Sequence, residues 1–167
     1  MMSKIRFELM DKRRMEELLP QLFNILYTNM NVIAPTGSSY EEDKSIWLPA
    51  VTRGMEKAPR QIILMYVGAN LAGYFQYYIN EGRFMVEEIQ LLPQYQSTTL
   101  LYSFIRFMGK MIPEDVRYIE AYAHKKNLHS QSLINRLGME LVGENKNGNS
   151  YFYRGDYKKV LERFRKV

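Results

Sequence analysis

The amino-acid sequence predicts an α/β domain of the α+β kind, with a mainly antiparallel sheet of about seven strands flanked by helices. Three observations lead there. Ile5, Phe7 and Leu9 alternate with Lys4, Arg6 and Glu8, the period-two signature of a strand with one buried face. Three β-rich runs follow one another between Gln61 and Leu92, separated only by turns at Gly68-Ala69-Asn70 and Asn80-Glu81-Gly82, which is the pattern of an antiparallel meander. Elsewhere apolar residues recur at three- and four-residue steps, as amphipathic helices require.

Taken in order, the first strand is followed by Asp11, whose carboxylate can cap a helix carrying Met15, Leu18, Leu19, Leu22 and Leu26 on one face. Pro20 lacks a backbone donor and is expected to kink or split that helix near Leu19. A loop at Pro35, Gly37 and Ser38-Ser39 leads into a second helix through Ile46, Trp47 and Val51 toward Gly54. The meander comprises Gln61 to Val67, Leu71 to Ile79 and Phe84 to Leu92. Its aromatics Tyr74, Phe75, Tyr77 and Tyr78 read as sheet packing rather than a base-stacking platform. A helix then runs from Ser97 or Thr98 to Met111, with Leu100, Leu101, Phe104, Ile105 and Met108 as its buried stripe. Val116 to Ala123 is a fifth strand, Ser130 to Leu137 a short helix stopped by Gly138, and Glu140 to Asn145 a sixth strand. Asn147-Gly148 signals a hairpin into Ser150 to Arg154. In the terminal helix Tyr157, Val160, Leu161 and Phe164 form a stripe opposite Lys158, Lys159, Arg163 and Lys166; that stripe is expected to dock on the sheet rather than lie on a membrane.

Composition bounds what such a chain does. Its 167 residues are 46% apolar and 25% charged, which suits one domain over 1–167 and excludes a disordered or collagenous chain. With no cysteine there is no thiol nucleophile, thiolate metal site or disulfide, a composition compatible with a reducing cytoplasmic setting. Neither an export signal nor a membrane span is expected, because the longest apolar stretch, Ile62 to Phe75, is interrupted by Gly68 and Asn70. The net charge of +5 is scattered rather than gathered in a stripe, which argues against a nucleic-acid partner. Two histidines without carboxylates at ligand spacing argue against a catalytic metal.

Two regions carry chemistry. Glu88 through Leu101 is a strand running through a short loop into an amphipathic helix, and the first amides of that helix, at residues 96 to 101, favour a phosphate or pyrophosphate. Asn127 to Met139 lies after the fifth strand. Pro-x-Tyr-Gln at Pro93 to Gln96, followed by Asn-x-x-Ser-x-x-Leu-x-x-x-Leu-Gly-Met from Asn127, resembles the two cofactor-contacting motifs of the GNAT N-acetyltransferases. The element order resembles that fold over nearly the whole chain, which implies a mixed, mainly antiparallel sheet.

The resemblance implies that strands four and five splay apart around the pantetheine arm of acetyl-CoA. Leu91 and Leu92 then occupy the place whose backbone holds the acyl and pantetheine amides. Gln96, Ser97, Thr98, Thr99, Leu100 and Leu101 correspond to the pyrophosphate loop, and Asn127 with Ser130 to the second motif. The sequence departs from the family where Thr99 and Leu101 replace loop glycines, and where Ile134 replaces the tyrosine that protonates the leaving thiolate. The implied activity is transfer of an acetyl group from acetyl-CoA to a primary amine of a small molecule or peptide. A catalytically impaired domain of the same fold, acting as an acyl-CoA or ligand sensor, is the alternative. Glu88 is the expected base, with Tyr122 and His124 as alternative proton carriers by position. Glu41, Glu42 and Asp43 either attract a cationic amine or serve the helix dipole. Pairing with a second copy, as a homodimer, is left open.

Overall fold

The computed structural model describes residues 4–57 and 59–165. Strands β1 (Ile5–Leu9), β2 (Arg60–Val67), β3 (Asn70–Asn80), β4 (Arg83–Leu91), β5 (Tyr118–His124), β6 (Glu140–Glu144) and β7 (Ser150–Asp156) form one sheet in the order β1-β2-β3-β4-β5-β7-β6. Helices α1 (Met15–Ile33), α2 (Tyr40–Lys57), α3 (Thr98–Met111), α4 (Leu128–Arg136) and α5 (Tyr157–Arg165) flank it. Every neighbouring pair is antiparallel except β4 and β5, which run parallel because α3 carries the chain across between them. The sheet is therefore mixed and mainly antiparallel, as expected.

Alternation along the central strands sends side chains into two cores. Ile62, Leu64 and Tyr74 pack beneath α1 and α2 against Leu18, Leu22, Ile25 and Met55. Their neighbours Ile63, Met65, Phe75 and Tyr77 face the other way, against Phe104 and Met108 of α3 and Tyr157 of α5. A third cluster joins Ala121, Ala123 and Tyr153 to Ile134 of α4 and Val160 of α5. Each fully buried aliphatic side chain contributes about 1.5–3 kcal/mol. The α5 stripe docks on the sheet through Tyr157 and Val160, while Lys158, Lys159 and Arg163 are exposed. The side chain of Phe164, and Lys166, lie outside the described residues.

Pro20 does not split its helix: α1 runs from Met15 to Ile33 with the proline inside it. The proline removes one bond, to the carbonyl of exposed Glu16, which water can satisfy, while buried Leu18, Leu19 and Leu22 hold the helix on either side. Turn chemistry matches the sequence more closely. Glu81 and Gly82 both adopt positive φ (49° and 74°), the geometry of a two-residue hairpin turn whose twist suits antiparallel strands. Ser39 and Glu42 close a reciprocal cap on α2: the Glu42 carboxylate accepts from the Ser39 amide at 2.8 Å and the Ser39 hydroxyl accepts from the Glu42 amide at 3.3 Å.

Candidate active site

The parallel ladder between β4 and β5 is short. Arg83 to Val86 pair with Tyr118 to Ala121, and there the pairing stops, although β4 continues to Leu91 and β5 to His124. The two strands part, leaving an opening edged by peptide groups. The Leu92 amide donates to the Ala72 carbonyl at 2.9 Å, so Leu92 turns toward β3. By the alternation of an antiparallel ladder the peptide groups of Ile89 and Leu91 then point toward the opening. The Leu91 carbonyl accepts from Asn29 Nδ2 at 2.8 Å and Gln96 Nε2 at 3.0 Å. Gly73 lets β3 approach this stretch, since a Cβ there would sit 2.2 Å from the Gln90 carbonyl oxygen.

A β-bulge sits where the strands part. The β3–β4 register shifts between Gln76 and Tyr77, which face Glu88 and Val86, so Glu87 is the extra residue. Both carboxylates consequently serve the α1/α2 face of the sheet. Glu87 accepts from Arg60 Nε and from Gln76 Nε2, each at 2.9 Å, and its charge is neutralised by the guanidinium. Glu88 has no cationic partner among the described residues. Its Oε1 accepts from Gln90 Nε2 at 2.6 Å, and Gln90 Oε1 in turn accepts from Asn29 Nδ2 at 2.8 Å. Glu88 keeps partial access to solvent, yet protein crowds it closely enough that desolvation pushes its carboxyl up to about 7, with the hydrogen bond from Gln90 pulling down and the charge of Glu87 adding to the rise. The hydroxyl of fully buried Tyr74, on the same face and paired in register with Gln90, has no hydrogen-bond partner among the described residues; burial first and the Glu88 charge second hold its pKa well above the ordinary phenol value.

No protein-family model matches the sequence, and no curated protein sequence matches it. Solved structures do match. An acetyltransferase from Thermus thermophilus is 14% identical with a TM-score of 0.71, over 93% of this chain and 99% of that one. The PaiA N-acetyltransferase of Thermoplasma acidophilum, solved in complex with coenzyme A, is 16% identical with a TM-score of 0.65, over 92% and 99%. An acetyltransferase from Streptococcus agalactiae is 12% identical with a TM-score of 0.69, over 91% and 98%. The fold is that of the GNAT acetyltransferases.

On this GNAT fold the residues singled out from sequence fall into three groups. Glu88, Leu91 and Leu92 lie on or just beyond the free stretch of β4, and Tyr122 and His124 on the free stretch of β5. Tyr122 is 46% exposed and stacks on Phe152 at 4.8 Å between ring centres, whereas His124 Nδ1 accepts from the Lys126 amide at 3.1 Å. The second group is the loop and start of α3. Ser97 is its cap, accepting from the Leu100 amide at 3.2 Å, and the Leu101 amide bonds the Ser97 carbonyl at 3.2 Å. The exposed Thr98 and Thr99 amides are left as the open donors of the helix start among the described residues. Leu100 itself is a core side chain.

The third group is α4. The Asn127 carboxamide oxygen caps the helix by accepting from the Ser130 amide at 3.1 Å, leaving its NH2 group as the available donor. Ile134, where the family resemblance implies a proton-donating tyrosine, packs in the core with Ala121 and Tyr153. Among the described residues no group of three or more His, Asp or Glu side chains is placed to hold a metal ion, and no helix is long and apolar enough to cross a membrane. Sequence reading missed Asn29, Gln90 and Tyr74. Asn29 could have been noticed as the polar residue continuing the Leu18, Leu22, Ile25 stripe, and Gln90 as an uncharged polar residue in a buried strand.

Proposed function

We propose that the chain transfers an acetyl group from acetyl-CoA to a primary amine, with Glu88 as the base. Several peptide and side-chain groups support this reading of the opening between β4 and β5. The edge offers the Ile89 amide and carbonyl and the Leu91 amide to the pantetheine arm; the Leu91 carbonyl is held by Asn29 and Gln96, and Leu92, whose amide bonds β3, closes that edge. The Thr98 and Thr99 amides would meet a pyrophosphate at the start of α3, with Gln96, now bonded to the Leu91 carbonyl, and Ser97, the helix cap, beside them, and with Leu100 and Leu101 contributing the helix rather than free donors. Asn127, next to Ser130, offers its NH2 group to the cofactor arm.

The observation that carries the proposal is the place of Glu88: a carboxylate beside that opening, crowded by protein and bonded only to the neutral amide of Gln90, a setting that pushes its carboxyl up to about 7. Acyl transfer needs the acceptor amine uncharged when it attacks. A carboxylate with this pKa takes a proton from an ammonium, directly or through water, and is present in quantity near neutral pH. The nitrogen attacks the thioester carbonyl, the C–S bond breaks, and the amide and free coenzyme A form. With Ile134 unable to donate, the thiolate takes its proton from water, from the Tyr122 hydroxyl or from His124, whose Nδ1 accepts from the Lys126 amide and whose Nε2 is left as the donor.

Thiol release with an amine panel, run beside calorimetry with acetyl-CoA, tests the reading. Glu88→Gln keeps shape and removes basicity, so turnover should fall by about 10²–10⁴ while cofactor affinity stays within a few-fold. Unchanged turnover would remove Glu88 from the reaction. Acetyl-CoA binding without release from the unaltered chain, across the panel, would favour the sensor instead.

A further inference from the structure

The chain of amides beside Glu88 has a direction, and the backbone sets it. The Leu91 carbonyl can only accept, so the Asn29 carboxamide turns its NH2 group toward it, at 2.8 Å. The second hydrogen of that NH2 group goes to Gln90 Oε1, also at 2.8 Å. With its oxygen taken, Gln90 presents its own NH2 group to Glu88 Oε1 at 2.6 Å. Gln90 is buried, which leaves protein groups to decide its orientation.

A carboxamide has a donor end and an acceptor end of nearly the same shape, and the end that meets a carboxyl group decides which of its two forms is favoured. A donor suits the carboxylate. The carbonyl oxygen suits the protonated acid, which needs an acceptor for its own hydrogen. Free to turn over, Gln90 would serve either form; held by Asn29, it serves only the carboxylate. The charged and titratable groups around Glu88 do not make this selection. Glu87, its neighbour on β4, is neutralised by Arg60 of β2 and acts against a second negative charge. On β3, Gln76 faces Glu88 in register, and the buried Tyr74 hydroxyl stays neutral. Tyr122 and His124 stand on β5, across the opening. Helix α1 carries no Asp, Glu, Lys or Arg after Glu17, so what it contributes to Glu88 is the neutral amide of Asn29.

We propose that Asn29 is a positioning residue for Glu88: by giving both hydrogens of its carboxamide to carbonyl oxygens, it holds the donor end of Gln90 toward the carboxyl group and withholds the acceptor end that the protonated acid would use. The inference concerns the protonation state of Glu88, and its meaning for catalysis rests on Glu88 being the base of the proposed acyl transfer.

The test is an NMR titration of the Glu88 carboxyl carbon in the full chain, without acetyl-CoA or amine, the resonance being assigned by its loss in Glu88→Gln. Asn29→Ala frees Gln90 to turn over and should raise the midpoint by about one pH unit. Gln90→Leu, which removes the amide, should raise it as well. In the Gln90→Leu background Asn29→Ala should add nothing, because its effect passes through Gln90. A side chain that merely pins α1 to the sheet would lower stability in both backgrounds and leave the titration unmoved. An unmoved midpoint in Asn29→Ala, or an equal shift with and without Gln90, overturns the proposal. Should a variant fail to fold, the side-chain amide protons of the unaltered chain decide. Those of Gln90 should follow the Glu88 titration while those of Asn29 stay protected from exchange throughout; loss of Asn29 protection as Glu88 protonates would show Gln90 turning over and overturn the proposal too. Turnover is read separately. The acidic limb of thiol release should move up with the midpoint in Asn29→Ala, whereas a midpoint that moves while the limb stays would support the role of Asn29 and remove Glu88 as the base.

Discussion

Glu87 and Glu88 are neighbours in the chain with opposite chemistry. The bulge turns both toward α1 and α2, but Glu87 finds Arg60 and Gln76, whereas Glu88 finds only the neutral amide of Gln90. A paired carboxylate is a structural charge; an unpaired, crowded one is a proton acceptor near neutrality. This has a consequence for stability that needs no substrate. The folded chain holds the Glu88 proton more tightly than the unfolded chain, because its carboxyl is raised from 4.5 to about 7. The cost of ionising it is therefore absent below pH 4.5, grows as the pH rises toward 7, and is complete above that. Allowing for its partial access to solvent, the full cost is on the order of 2–3 kcal/mol. Glu88→Gln is accordingly expected to match the unaltered chain closely in urea denaturation at about pH 5 and to exceed its stability by about 2 kcal/mol at about pH 8. A difference that does not change between those two pH values would show that burial does not govern this carboxyl.

Among the elements, α4 best separates a structural role from a ligand-binding one. Asn127 spends its oxygen on the Ser130 amide and retains its NH2 group, so two substitutions divide its duties. Asn127→Ala removes the cap and is expected to cost about 1 kcal/mol in denaturant titrations, together with weaker acetyl-CoA binding. Asn127→Asp preserves an acceptor for the cap and should restore stability, but it offers no donor and places a negative charge near an anionic cofactor. Calorimetry should therefore find acetyl-CoA binding still weakened in the Asp variant; full affinity there would confine Asn127 to capping. The elements themselves are legible in the sequence wherever local chemistry decides them: Ser97 at the start of α3, Glu81-Gly82 between β3 and β4, Gly138 with φ +79° after α4. Legibility ends where distant groups decide. Pro20 is tolerated because core contacts flank it, the Gln76–Glu88 bulge depends on cross-strand register, and Asn29 reaches Gln90 only once α1 has docked across the sheet. The candidate site is accordingly half legible. Glu88 and Asn127 announce themselves by position in the chain, while the network that tunes Glu88 is assembled by tertiary packing.

At the scale of the whole molecule, the sheet is two leaves joined by a short hinge of paired backbone, Arg83–Val86 with Tyr118–Ala121. Beyond it the leaves separate, and α5 straps them on one face by sending Tyr157 into the core of the first leaf and Val160 into that of the second. A ligand seated in the opening would touch residues 87–91 of one leaf and 122–124 of the other, replacing backbone bonds that the parting leaves unmade. It would therefore bind the folded chain and not the unfolded one, and stabilise the former by mass action. At acetyl-CoA concentrations about one hundred times its dissociation constant the gain is about 2.7 kcal/mol. For a chain of this size that corresponds to a rise in Tm of roughly 5–10 °C. Amides that exchange only on global unfolding should slow throughout the sheet, and those at residues 87–91 and 122–124, which exchange by local opening beside the gap, should slow in the same experiment where locally exchanging amides of β1, far from the opening, do not. Stabilisation without protection of those two segments would place the cofactor elsewhere, and no stabilisation at saturating acetyl-CoA would mean that the gap between the leaves is not its seat.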